Sequence, residues 1–347
     1  MLRRFRDNRV NPFRNQLEGR LRALWRLLLQ YTISWYLASV LLLALTFASL
    51  LISQGAGFEG YSAGMLAASP TFRLTSSTVA SLAAAVVSVW LAGRILDHRP
   101  FSDFGLRLDR GWGLDFCFGL ALGALLMTSI FLVELASGWI TVTGTFEVSG
   151  GTSPFALAIL IPLAAFVCVG FSEELLSRGY QLKNLAEGLN FPSVGPRGAV
   201  LLAWVLSSGV FGLLHLANPN ASLLSTVNIT FAGLLLGTGY VLTGRLAIPI
   251  GLHITWNFFQ GNVFGFPVSG IEPVSATFLT IEQGGPALFT GGVFGPEAGL
   301  LDPVATLVGS LLIWLWVRAR SGNATLQPPI AEPPDGRSGE AVASPKD

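Results

Sequence analysis

The feature that most restricts this chain is a succession of apolar runs, each close to the length of a bilayer crossing. Eight can be marked, at roughly 29–53, 76–96, 112–134, 154–175, 199–217, 224–243, 246–266 and 302–319. An α-helix rises 1.5 Å per residue, so about 20 predominantly apolar residues cross the hydrocarbon core. The expected fold class is therefore an all-α polytopic membrane protein with about eight transmembrane helices. Composition agrees, since 51% of the 347 residues are apolar and only 12% are charged. A soluble domain carries about a quarter charged residues.

Arginine sets the expected orientation. The connections at 97–111, 178–198 and 244–246 hold Arg99, Arg107, Arg110, Lys183, Arg197 and Arg245, while Arg318 and Arg320 close the last run. The alternate connections, 54–75, 135–153, 218–223 and 267–301, hold only Arg73. Eight crossings with both termini in the cytoplasm satisfy the positive-inside rule. Residues 1–28 read as a basic arm, 29–320 as the transmembrane domain and 321–347 as a disordered tail rich in Pro, Gly, Ser and charge. Such an arm beside a membrane span sets orientation and meets anionic lipid more often than it binds nucleic acid. The short connections and arginine bias point to a prokaryotic plasma membrane. Stretches 97–111 and 178–198 are expected to include short interfacial helical pieces, and 267–301 is apolar, Gly- and Pro-rich and unassigned. Cys117 and Cys168 lie inside apolar runs, where thiols act as small buried hydrophobes.

Ionisable groups inside such runs cost about 2.5–3.5 kcal/mol each near the bilayer centre and so mark function. Three clusters stand out. In Glu173-Glu174-x-x-x-Arg178, positions four apart share a helix face, so Glu174 pairs with Arg178 while Glu173 is left free as a general base. The competing reading is an interfacial ion pair. Phe211-x-x-x-His215 ends the fifth run, where a lone histidine is more often a packing residue. His253-x-x-x-Asn257 in the seventh places two donors on one face, suited to a developing oxyanion or to interhelical hydrogen bonding. Together Glu173, His215, His253 and Asn257 make a water-activating set around an intramembrane polar cavity. No H-E-x-x-H motif and no closely spaced Cys or His ligand motif is present, yet zinc on Glu173, His215 and His253 is chemically reasonable, because two histidines and a glutamate form a catalytic ligand set. Helix rise poses one conflict: His253 lies about 10 Å into its span but His215 about 24 Å from the cytoplasmic start of its own.

E-E-x-x-x-R, F-x-x-x-H and H-x-x-x-N, each in a separate apolar run, resemble the CPBP family, the CAAX-prenyl-endopeptidase-like (Abi) intramembrane proteases. The resemblance covers roughly residues 95–265. It implies an eight-helix fold with a site in a cavity opening to the cytoplasmic side. It implies that Glu173 and His215 activate water, that His253 and Asn257 stabilise the oxyanion, and that Glu174 and Arg178 support them. Family names often say metalloprotease, whereas characterised eukaryotic-type relatives resemble metal-free glutamate proteases. The expected function is endopeptidase action on a membrane-embedded or lipid-proximal peptide in the lipid bilayer, with no nucleic-acid partner. A non-catalytic scaffold or immunity protein of the same fold is the alternative, and a transporter the third. Prenylated substrates are not carried over, because prokaryotic cells generally lack protein prenylation.

Overall fold

The computed structural model describes residues 11–15, 18–55, 69–149 and 153–334. Among these residues, seven helices are long and apolar enough to cross a membrane. They are α1 (Ala23–Gly55), α2 (Pro70–Ala92), α3 (Arg110–Ala136), α4 (Phe155–Leu189), α5 (Gly195–Leu214), α6 (Leu223–Thr243) and, last in the chain, α8 (Leu301–Ser321). The expected seventh run of eight is instead a shorter helix, α7 (Ala247–Phe258), prolonged by a wide turn at Phe259–Val263. It is buried along nearly its whole length, starting from a fully buried Leu246.

The helix starts are set by local chemistry. The Asp109 carboxylate accepts from the Trp112 N–H at 2.8 Å and caps α3, while also pairing with Arg245 at 2.6 Å. Ser222 and Ser225 cap α6 reciprocally, satisfying two donors that the first turn leaves unpaired. Ser69 caps α2, with Pro70 in the first turn where its missing N–H costs nothing. α7 lies along α3 and α4, α1 along α2, α5 along α6, and α6 along α8. Glycines permit the closest of these contacts: a Cβ at Gly119 would stand 2.4 Å from the Ile248 carbonyl, and one at Gly123 2.4 Å from the Leu252 carbonyl. Small residues let helix backbones approach in this way.

The two ends of the bundle differ. The basic end carries the connections at 97–110, 190–194 and 244–246 and a buried ion network. There Arg26 pairs with Asp97 and Glu187, Arg20 reaches Glu187 at 3.1 Å, and Arg99 also binds Glu187. Part of the expected arm is thus folded against the body: Arg20 and Arg26 serve carboxylates, with residues 1–10 outside the described set. The expected disordered tail differs similarly. After Gly322 the chain crosses the basic end, where the Gln327 N–H donates to the Val241 carbonyl (2.9 Å) and Arg99 to the Glu332 carbonyl (2.9 Å), burying Ile330 and Ala331. Proline removes backbone freedom and two apolar side chains are buried, so residues 322–334 are ordered; residues 335–347 lie outside the described ones.

The opposite end, called the sheet end, is covered by two antiparallel strands, β1 (Ile140–Val148) and β2 (Ala276–Gln283). The Asn262 amide holds β2 through the Ala276 carbonyl at 2.6 Å. The region 267–301 folds back across this end. Gly270 has φ +83°, and a Cβ there would stand 1.9 Å from the Pro219 carbonyl, so only glycine fits. Both cysteines are free; Cys117 is exposed on α3 and not buried as expected.

Candidate active site

α4 settles the depth conflict. It continues 14 residues past the expected end at 175, through a wide turn over Leu175–Leu182, to Leu189. With α5 it forms an antiparallel hairpin closed at 190–194. Glu173 lies 16 residues before the end of α4 and Phe211 16 residues after the start of α5, so both stand about 24 Å from the hairpin turn. The α6–α7 turn is also sunk into the protein: the Leu246 N–H donates to the Gly105 carbonyl (3.0 Å), and Gly179 packs on Phe104 and Leu246. His253, two turns on, therefore meets the middle of α4.

Glu174 is the hub of the resulting contacts. Its Oε1 accepts from Arg178 Nη1 at 2.7 Å and lies 2.8 Å from His253 Nδ1, all three residues being buried. The i,i+4 pairing of Glu174 with Arg178 is present as expected. Arg178 also donates to the Gly233 carbonyl at 3.0 Å and stacks on the Phe211 ring, 4.5 Å from its centroid. One guanidinium thus ties α4, α5 and α6 together, a use of planar, many-donor Arg that Lys cannot copy. The Phe211 ring separates the two histidines, 4.7 Å from His215 and edge-on 6.3 Å from His253.

Proton positions follow from the acceptors. A carboxylate oxygen cannot donate, so His253 Nδ1 carries the hydrogen shared with Glu174. His253 Nε2 then lies 3.9 Å from Glu173 Oε2, beyond a direct hydrogen bond but close enough for one water, about 2.8 Å from each, to bridge. His215 Nδ1 lies 2.8 Å from the Phe211 carbonyl and must donate to it, so in the neutral ring Nε2 holds the lone pair. Glu173 keeps 36% of its side chain exposed and touches neither Arg178 nor His253 directly.

Glu173, Phe211, His215, His253 and Asn257 all line one cavity of about 840 Å³. The zinc set gains no support: among the described residues no three His, Cys, Asp or Glu side chains stand where they could share a metal ion. Glu173, His215 and His253 do not fit that role, and the chemistry below runs without it.

The cavity also has walls that sequence reasoning passed over. Asn218, Ser269 and Glu297 close it at the sheet end. Glu297 is buried, its Oε2 accepting from the Ser269 N–H (2.5 Å) and hydroxyl (3.0 Å). Burial pushes its carboxyl up, opposed by the Ser269 bonds and by nearby His215. A single acid in the apolar loop TGGVFGPEAG was the available clue, but that loop has no periodicity to place it.

Residues 155–259 match the family model described as type II CAAX prenyl endopeptidase, Rce1-like. The match takes in α4 to α7 and with them each of the three motifs. No curated protein matches the chain.

Proposed function

We propose that this protein is an intramembrane endopeptidase that cleaves a membrane-embedded or lipid-proximal peptide with an activated water. The observation that carries this reading is the division of labour between adjacent carboxylates. Glu174 is engaged through Oε1 by both Arg178 and His253 and lies buried, whereas Glu173 faces the cavity with no strong partner.

Glu173 takes a proton from the water as its oxygen adds to the scissile carbonyl carbon. His215 Nε2, kept as an acceptor by the Phe211 carbonyl, holds the same water. The carbonyl oxygen becomes an oxyanion and receives hydrogen bonds from the Asn257 amide and from His253 Nε2. His253 donates through both nitrogens in this step as the imidazolium. Collapse of the tetrahedral species breaks the C–N bond, and Glu173 returns its proton to the departing amine. Donors fixed before the charge develops are what make such a site effective.

The test is cleavage of a fluorogenic peptide library by detergent-purified protein, wild type beside Glu173→Gln, each with and without a zinc chelator. The variant keeps the shape and removes the base, so turnover should fall by about 10²–10⁴ with an unchanged melting temperature. Chelation should leave wild-type turnover intact. Wild-type rates in Glu173→Gln would end the assignment of the base.

A further inference from the structure

The resemblance implied a cavity opening to the cytoplasm, and the arginine pattern implied a cytoplasmic basic end. These two expectations cannot both hold, because the cavity and the arginines lie at opposite ends of the bundle. Beyond the motif residues, its walls come mostly from the sheet-end halves of the helices. They include Leu42 and Thr46 in the later part of α1, Phe72 and Ser76 in the first turns of α2, and Asn218 after α5. Residues 268–274 and Glu297 complete them. Among the described residues, no lining residue belongs to the connections at 97–110, 190–194 or 244–246, or to the segment after α8.

Between the site and the basic end the protein is solid. Phe104, Tyr180, Leu182, Tyr240 and Leu246 are each at most 1% exposed. Beyond them Arg26, Asp97, Arg99 and Glu187 interlock across α1, the end of α2 and α4. A peptide entering from that side would have to break this network, and unpairing buried charges costs several kcal/mol. At the sheet end the rim instead holds exposed groups, Arg73 and Glu272, and Arg73 has no ion-pair partner among the described residues.

We infer that the cavity is entered from the extracytoplasmic face, so that its substrate is a peptide segment presented there or in the outer leaflet. The orientation follows from the arginines, which crowd the basic end and leave Arg73 alone in the opposite connections. The identity of the substrate as a peptide rests on the proposed peptidase reading; the side of entry does not.

Cells expressing the full chain test this with single cysteines, after Cys117 and Cys168 are replaced by serine. Ala232→Cys places the thiol on the cavity wall, nine residues or about 14 Å from the sheet-end start of α6. Leu108→Cys places it on the exposed connection at the basic end, where Leu108 is 73% exposed. A small membrane-impermeant thiol reagent added to intact cells should label Ala232→Cys fully, with no gain on permeabilisation. Leu108→Cys should stay unlabelled until the cells are permeabilised. The reverse pattern, or an Ala232→Cys thiol reached only after permeabilisation, overturns the inference. Loss of peptidase activity in every preparation would leave the labelling result standing, so failure of one reading does not pass for failure of the other.

Discussion

Gly123→Ala is the sharpest test of how the helix packing serves the site. A Cβ at position 123 would stand 2.4 Å from the Leu252 carbonyl, 2.4 Å from the Thr255 hydroxyl and 2.9 Å from the Trp256 nitrogen. The hydroxyl can rotate away, but the two backbone atoms cannot. Restoring an ordinary contact near 3.5 Å needs about 1 Å of separation between α3 and α7. Leu252 and Trp256 directly precede His253 and Asn257, so these two residues move with them. The 2.8 Å link from His253 to Glu174, which joins α7 to α4, would lose its geometry with a shift of that size. Misplacement by about 1 Å costs on the order of 10²-fold in rate, and the overpacking itself about 1–3 kcal/mol. Peptide turnover and thermal unfolding in detergent read both effects. Gly113→Ala on the same helix is the control: nothing lies within 4 Å of its Cβ position. It should be neutral or gain up to about 1 kcal/mol from helix propensity. A folded Gly123→Ala with wild-type kcat would refute the argument that this close contact sets the site geometry.

Three further outcomes follow from the contacts. Asn257→Ala should slow turnover by about 10²–10³ if its amide meets the oxyanion; an unchanged kcat returns Asn257 to holding helices together. Glu174→Gln strands the buried Arg178 charge and should lower stability by about 3–5 kcal/mol, with Glu174→Gln/Arg178→Met recovering much of it. Equal melting temperatures in wild type and the single variant would deny Glu174 its central place. For Glu297, the raised carboxyl means that its contribution is complete below about pH 4 and is lost as pH rises through the raised value. Glu297→Gln fixes the uncharged form and should flatten the melting-temperature profile over that window; an unaltered profile would show that another group titrates there.

The bilayer-length runs and the local pairings could be read from the chain, because each depends on residues near one another in sequence. A run of about 20 apolar residues is a membrane span whatever surrounds it. Glu174 meets Arg178 because they are four apart on a helix. The order of the three motifs likewise pointed to one site. What the chain did not disclose was depth. Lys183 and Glu187 are charged, which makes 176–189 look like a connection, yet both side chains are buried at the basic end and α4 continues through them. Apolarity marked α7 as a span but did not disclose that glycine contacts with α3 bury it inside the bundle. Glu297 reached the cavity through a loop whose path is set by contacts with residues as distant as Pro219. Helix existence is a local property, but the level at which helices meet, and the end at which a cavity opens, are sums over contacts between distant segments. Only the tertiary structure holds those sums.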